Sequence, residues 1–273
     1  MDKMNIGFIG IGLIGGSLAK AFNALGHNIY CLDDDKNTLE LALKSGVFKR
    51  VHNRIEDILS EDLDLIYIAT PIDVAKEIIL NLADIDCDVP ITDACSTKYS
   101  LSKLAKDFDL QYCGGHPIAG RESSGFINSE PELLKGAIHI LTDDGGSLSD
   151  TLKKLHEDIG MRVVYMDPEL HDKVFALVSH FPHLTAFSLV EYVNCSYPEA
   201  LKFSGGGFKD FTRIAGSDPA MWSSIFMDNK NNVIEMIDGY IKLLEEWKEI
   251  ILKGQKKDLF NKIEIISNIR RGL

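Results

Sequence analysis

The chain has 273 residues, 45% hydrophobic and 26% charged, the composition of a folded globular protein with one large core or two ordinary ones and not of a small disulfide-stapled scaffold. Its formal net charge is −12, and with 13 basic against 15 acidic residues after Tyr165, nearly all of that excess lies in the first 165 residues. Such a balance argues against nucleic acid or an anionic membrane as the main partner and leaves small anionic ligands to local donors.

Five cysteines (Cys31, Cys87, Cys95, Cys113 and Cys195) form no C-x-x-C pair, a pattern that fits free thiols in a reducing cytoplasm. No run approaches the ~20 apolar residues of a membrane helix. The uncharged stretch from Met4 to Ala19 follows Lys3 but is broken by glycines at motif spacing, which disfavours the helical core of a signal peptide.

In chain order, Asn5–Ile9 reads as a strand and Ser17–Leu25 as a helix ending at Gly26. A second strand follows at Asn28–Leu32, then a helix at Asn37–Leu43 stopped near Gly46. Leu63–Ala69 is nearly continuous apolar sequence, as in a sheet covered on both faces. Further strands are predicted at Val89–Thr92, Gln111–Gly114, Ala137–Thr142 and Arg162–Tyr165. Strands alternating with helices imply a parallel sheet of βαβ units. After Asp167 only helical patterns appear. Pro168 suits a first helical turn, Glu169–Val193 is helical with a kink expected at Pro182, and Ser217 or Asp218 caps a helix with Pro219 inside. Asn229–Leu252 and Lys256–Asn268 are long amphipathic helices separated by Gly254. The expected architecture is α/β, with a Rossmann-type dinucleotide-binding domain at residues 1–166 and an all-helical domain at 167–273.

Gly10-Ile-Gly12-Leu13-Ile14-Gly15 follows a strand and opens a helix, the context a dinucleotide fingerprint requires: a tight turn, close approach of backbone to a pyrophosphate, and a helix N-terminus facing the phosphates. Asp33 ends the second strand 18 residues after Gly15. A carboxylate there accepts hydrogen bonds from ribose hydroxyls and repels a 2′-phosphate, so NAD is favoured over NADP. Asp34 and Asp35 read as a solvated turn. Thr70 and Pro71 close the apolar strand and are candidate cofactor-lining residues, because ligands of such sheets sit at strand carboxyl ends.

Thr92–Lys98 and the Gly/Pro-framed loop around His116 follow later strands. An imidazole in such a loop can accept a proton near neutral pH, and equally can serve loop backbone groups. Ser96, by itself, reads first as a helix N-cap. His180 and His183 lie three apart without further ligands at zinc spacing, so no metal site is expected. Arg213 carries a planar fork suited to a carboxylate, or to a structural pair with Asp210. Trp222 reads first as core.

Taken together and in order, Gly10–Ser17, Thr92–Lys98, His116–Gly125, Ser179–His183 and Lys209–Trp222 resemble the prephenate dehydrogenase family, which includes arogenate and cyclohexadienyl dehydrogenases. The resemblance implies NAD-dependent oxidative decarboxylation, with His116 hydrogen-bonding the substrate's C4 hydroxyl and Ser96 orienting His116 and the cofactor. It implies Arg213 as the main carboxylate anchor, Glu122, His180 and His183 as pocket residues, and Trp222 shaping the pocket or reaching it across a dimer interface. It further implies a cytoplasmic homodimer built through the C-terminal helices. Neither a chorismate mutase domain before the dinucleotide fold nor a regulatory domain after the helices is expected. Arg121 stands where relatives often carry a small hydroxyl residue; it is either a second carboxylate anchor or a partner of Glu122. Arogenate is the alternative substrate. The catalytic lysine of β-hydroxyacid-type dehydrogenases has no recognisable motif here, and an NAD-binding sensor would need none of His116, Ser96 and Arg213.

Overall fold

The computed structural model describes residues 2–121, 123–142 and 146–272. By packing, the chain divides into two compact units, Met1–Asn229 and Lys230–Leu273.

The first unit is built on six parallel strands: β1 (Asn5–Ile9), β2 (Asn28–Leu32), β3 (Phe48–His52), β4 (Leu65–Ile68), β5 (Ile91–Asp93) and β6 (Tyr112–Cys113), in the spatial order 3-2-1-4-5-6. The order reverses between β1 and β4, and this switch point is where α/β sheets bind ligands. Residues alternate between faces along each strand. Ile6, Phe8, Leu65 and Tyr67 enter one core, in which the Phe8 and Tyr67 rings stack at 5.0 Å, while Ile9, Ile66 and Ile68 enter the other. Two-sided burial is why the Leu63–Ala69 run is apolar from Leu65 onward.

The strands named from sequence recur within about two residues of the observed ends. Two others were not anticipated. Strand β3 (Phe-Lys-Arg-Val-His) lies at the sheet edge with Lys49 and Arg50 exposed, and charge on an edge strand suppresses pairing with other chains but hides the apolar pattern. The Gly/Pro-framed segment around His116, read as a loop, is strand β7 (Gly115–Ile118). It pairs antiparallel with β8 (Ile138–Thr142), and β8 pairs parallel with β9 (Arg162–Met166), so this second sheet is mixed rather than purely parallel. Pro117 is tolerated because β7 is an edge strand. At Gly115 a side chain would lie 2.5 Å from the Asp93 carbonyl oxygen, so the glycine marks close approach of two sheets and not a turn.

Helices α1 (Leu13–Ala24), α2 (Lys36–Ser45), α3 (Ile55–Leu59), α4 (Ile72–Asp84), α5 (Tyr99–Asp107) and α6 (Ser147–Asp158) alternate with the strands. From Pro168 the chain is helical. Helix α7 (Pro168–Phe175), capped by Asp167, runs through a π-turn at Ala176–His180 into α8 (Phe181–Ser196). The widened turn stands where a kink was expected at Pro182, and it accommodates the ring and missing N–H of that proline. By length and composition alone, the run Pro168–Ser196 is long and apolar enough to cross a membrane, contrary to the reading of the sequence by uninterrupted apolar stretches. Its His171, Asp172 and His180 are nonetheless buried and hydrogen-bonded to other parts of the unit. Helices α9 (Gly206–Thr212) and α10 (Pro219–Asp228) complete it, α10 being capped by Asp218 through the Met221 N–H at 2.8 Å.

The second unit is a helical hairpin, α11 (Lys230–Leu252) and α12 (Lys256–Arg271), joined through Gly254. Lys262 on α12 pairs with Glu246 at 3.3 Å and lies over the Trp247 ring. Ile241, Leu244, Ile251, Phe260 and Ile269 are exposed on it.

Buried imidazoles give the fold a pH dependence of definite sign. His156 donates from Nδ1 to the Leu152 carbonyl at 2.7 Å and its Nε2 faces the Tyr67 hydroxyl at 3.1 Å, and burial pushes its pKa down to about 4. His180 is likewise pushed by burial to about 4. Between pH 6.5 and 4 the unfolded chain takes up protons that the folded chain refuses, so stability falls as pH falls, by up to about 3 kcal/mol per ring. Urea unfolding at pH 7, 5.5 and 4.5 is expected to show this decline; a flat profile would mean that these rings ionise equally in both states.

Candidate active site

The glycine loop joins β1 to α1 at the switch point. The Gly10 N–H donates to the Leu32 carbonyl at 2.8 Å, tying the loop to the end of β2. The Asp33 carboxylate accepts from the Ile11 N–H at 2.9 Å and from the Asp35 N–H at 3.0 Å, so the carboxylate at the end of β2 and the glycine loop are held together. A side chain on Gly15 would sit 2.3 Å from the Gly10 carbonyl oxygen, whereas one on Gly12 would meet nothing within 4 Å. Gly15 is therefore required by helix packing, and Gly12 faces open space beside a helix N-terminus, as a pyrophosphate cradle needs.

A cavity of about 480 Å³ opens from this loop. Gly12, Leu13 and Ile14 form one side, Thr70 and Pro71 after β4 the next, and Ser96 after β5 and His116 on β7 another. Of the residues expected from sequence, these seven and Arg121 share the cavity. Gly10, Gly15 and Asp33 support its loop from behind. Met221 and Ile225 of α10, with its cap Asp218, supply a further wall; the resemblance pointed to this helix only through Trp222, and nothing local says which of its side chains face the cavity.

Trp222, His183 and Arg213 lie off this wall. Trp222 is buried with its ring stacked on His183 at 3.6 Å and edge-on to His180 at 6.1 Å, forming an aromatic cluster off the cavity wall. His183 Nδ1 lies 2.9 Å from the Ser179 carbonyl. Arg213 is exposed on the turn after α9 and is likewise not on the cavity wall. Arg121 lines the cavity and pairs with Glu130. Glu122 lies outside the described residues.

Ser96 does not cap α5. The N-terminus of that helix is capped from a distance by Asp172 of α7, whose carboxylate accepts from the Lys98 N–H at 2.7 Å and the Tyr99 N–H at 3.0 Å, leaving Ser96 on the cavity wall. The same carboxylate lies 2.8 Å from His171 Nδ1, and His171 Nε2 lies 2.8 Å from His116 Nδ1. His171 carried no signal in the sequence, since an adjacent His-Asp pair is unremarkable until its neighbours are known. Phe175 packs on both rings, 4.5 Å from His171 and 4.8 Å from His116. Burial, reinforced by His171, Lys98 and His180, holds the His116 pKa well below its ordinary value, so the ring is neutral at pH 7. Beneath it, the fully buried Lys98 ammonium bonds the Asp93 carboxylate and the Gly115 carbonyl, the latter at 2.7 Å.

Two family models divide the chain between them. Residues 18–165 match the nucleotide-binding domain of prephenate dehydrogenase, and residues 167–265 match its dimerization domain. The chain is 34% identical to the prephenate dehydrogenase of Bacillus subtilis, over 99% of this chain and 76% of that protein. The chain belongs to the prephenate dehydrogenase family. It is also 30% identical to the cyclohexadienyl dehydrogenase of Zymomonas mobilis, over 90% of this chain and 88% of that protein. Among solved structures, the prephenate dehydrogenase of Aquifex aeolicus in complex with hydroxyphenyl propionate and NAD+ superimposes with a TM-score of 0.92 at 36% identity, covering 99% of this chain and 98% of that one. As a member of this family the protein is a dehydrogenase with NAD as cofactor, and the open glycine cradle backed by Asp33 fits that dinucleotide.

Two glycine variants separate folding from binding. Gly12→Ala is expected to melt within about 2 °C of the parent, since surface changes are worth about ±0.5 kcal/mol, while binding NAD at least about tenfold more weakly as the methyl enters the cradle. Gly15→Ala is expected to lose stability. Thermal melts with and without NAD check both.

Proposed function

We propose that the protein catalyses the NAD-dependent oxidative decarboxylation of prephenate to 4-hydroxyphenylpyruvate, a step of tyrosine biosynthesis, as a cytoplasmic homodimer. The observation that carries this reading is one cavity bordered by both the dinucleotide loop and a neutral imidazole, His116.

His116 accepts the proton of the C4 hydroxyl as C4 gains carbonyl character, and returns it to the phenolate oxygen once the ring carboxylate has left as CO₂ and its bonding pair has entered the ring. NAD, when bound, takes the hydride from C4. A neutral base beside the substrate hydroxyl is what this step asks for, and such assistance contributes roughly 10²–10⁴ in rate. Ser96 lines the same cavity, which supports its proposed role in orienting His116 and the cofactor. On the resemblance alone, Arg213 is the proposed carboxylate anchor and Glu122, His180, His183 and Trp222 are further substrate-binding residues; Arg213, His183 and Trp222 stand off the cavity wall described above. The exposed apolar residues of α11 and α12 support their role as the dimer contact. Arogenate is the second reading: Asp218 on the cavity wall offers a carboxylate that suits its ammonium.

The first test is a two-by-two assay of prephenate or arogenate with NAD or NADP, read as reduced-cofactor absorbance. Turnover is expected with prephenate and NAD; turnover of arogenate alone would transfer the assignment to the amino substrate. In the active pair, His116→Asn is expected to lower kcat by about 10²–10⁴ with NAD affinity unchanged, and unchanged kcat would remove His116 from the proton step.

Arg213→Ala is expected chiefly to raise KM for the dicarboxylate substrate by about 10- to 100-fold, the loss of a charged hydrogen bond of about 1.5–3 kcal/mol. An unaltered KM would place the anchor elsewhere.

A further inference from the structure

We propose that His171, backed by the Asp172 carboxylate, is a positioning residue that holds His116 in the tautomer with its proton on Nδ1 and its lone pair on Nε2. The proposal rests on His116 being the proton acceptor of the reaction. It adds a residue that neither the motifs nor the cavity wall single out.

The direction of every hydrogen bond in the chain follows from its far end. Two backbone N–H groups, those of Lys98 and Tyr99, point at the Asp172 carboxyl, at 2.7 and 3.0 Å. Backbone N–H groups only donate, so Asp172 is the acceptor there, which an ionised carboxylate satisfies. The Asp172 oxygen that accepts from Lys98 also lies 2.8 Å from His171 Nδ1, so the proton of that contact sits on the imidazole. A neutral imidazole has one N–H. His171 Nε2 is therefore a bare acceptor, and it lies 2.8 Å from His116 Nδ1. Two bare nitrogens at that distance would oppose their lone pairs, so His116 Nδ1 carries hydrogen. The remaining nitrogen of His116, Nε2, keeps the lone pair that a general base requires.

The alternative arrangement needs His171 doubly protonated, donating to His116 and leaving its proton on the wrong nitrogen. Burial opposes this: it holds His171 below its ordinary pKa despite the Asp172 carboxylate. The geometry is also braced. Phe175 lies nearly parallel to the His171 ring and inclined to His116, so neither ring is free to flip without disturbing a packed aromatic. No proton travels along the chain. When His116 takes the substrate proton on Nε2, its Nδ1–H remains donated to His171, and Asp172 stays ionised at the far end, the arrangement that stabilises an imidazolium without relaying its charge.

The test replaces His171 and reads both rate and tautomer. His171→Leu removes the acceptor and is expected to lower kcat at least about 100-fold, within the range general-base assistance supplies, while KM for NAD stays within about threefold, because the dinucleotide loop is untouched. His171→Gln offers a side-chain carbonyl to the same N–H and is expected to recover kcat to within about tenfold of the parent. Long-range proton–nitrogen NMR on histidine-labelled full-length protein, with His116→Asn to assign the signal, is expected to show His116 protonated on Nδ1 in the parent and in His171→Gln, and on Nε2 in His171→Leu. A parent spectrum with the proton on Nε2, or a folded His171→Leu with parental kcat, overturns the proposal. If His171→Leu does not fold, the parent spectrum alone decides. If His116→Asn retains full kcat, the base assignment fails while the tautomer measurement still reports on His171.

Discussion

A single buried lysine organises the catalytic half of this protein. Lys98 is fully buried, its ammonium shared between the Asp93 carboxylate and the Gly115 carbonyl, and its own backbone N–H is taken by Asp172. Asp93 in turn accepts from the Cys95 N–H at 2.7 Å and the Tyr112 hydroxyl at 2.5 Å. A buried ion pair of this kind recovers its desolvation cost only if the remaining donors and acceptors are also satisfied. Here the partners of the pair come from the groups that must be aligned: the end of β5, the start of β7 and the N-terminus of α5. The residue next to Gly115 is His116, so the polar knot below the sheet sets the position of the ring above it.

Two parts of the cavity are set by the packing of secondary-structure elements. One wall follows from the strand order, since the reversal between β1 and β4 leaves a crevice where no crossover helix lies. Another wall is α10, which is fastened at its C-terminal end and midway along its length. Asp228 takes the Lys76 ammonium of α4 and the Ser100 hydroxyl of α5, the latter at 3.0 Å, and Ser224 donates to Asp73 at 2.5 Å. These ties cross from the dinucleotide-binding strands and helices to residues more than 120 positions later. Sites carried on such scaffolding hold their geometry better than sites on free loops.

Burial performs the same chemical service throughout. It keeps His116, His139, His156, His171 and His180 below the ordinary imidazole pKa, because the charged ring loses its hydration. A neutral imidazole accepts and donates at once, so it can pass hydrogen-bond direction from one residue to the next. Asp172 spends one carboxylate on both tasks, capping α5 and orienting His171, and so couples a helix start in the dinucleotide fold to the ring that faces the cavity.

By itself the sequence determined the period and the chemistry of its segments. The two-sided apolar strands, the glycine loop opening α1, Asp33 at the end of β2, the helix starts at Pro168 and around Asp218–Pro219, and the long terminal helices all follow from neighbours within a few residues, where propensity and spacing act. The glycine loop, Thr70 and Pro71 were legible as cavity residues because each stands at or just after a strand end, where this architecture exposes ligands, whereas Ser96 and His116 were picked out by the family resemblance. Tertiary structure alone decided what no local pattern encodes. His116 belongs to a strand because β8 arrives to pair with it. Ser96 is released from capping because Asp172 arrives from 74 residues beyond Lys98. Arg121 meets Glu130, and Trp222 folds onto His183 instead of the cavity. His171 matters only because the fold sets its Nε2 beside His116. Hydrogen-bond direction and burial are properties of pairs, and the members of these pairs are distant in the chain.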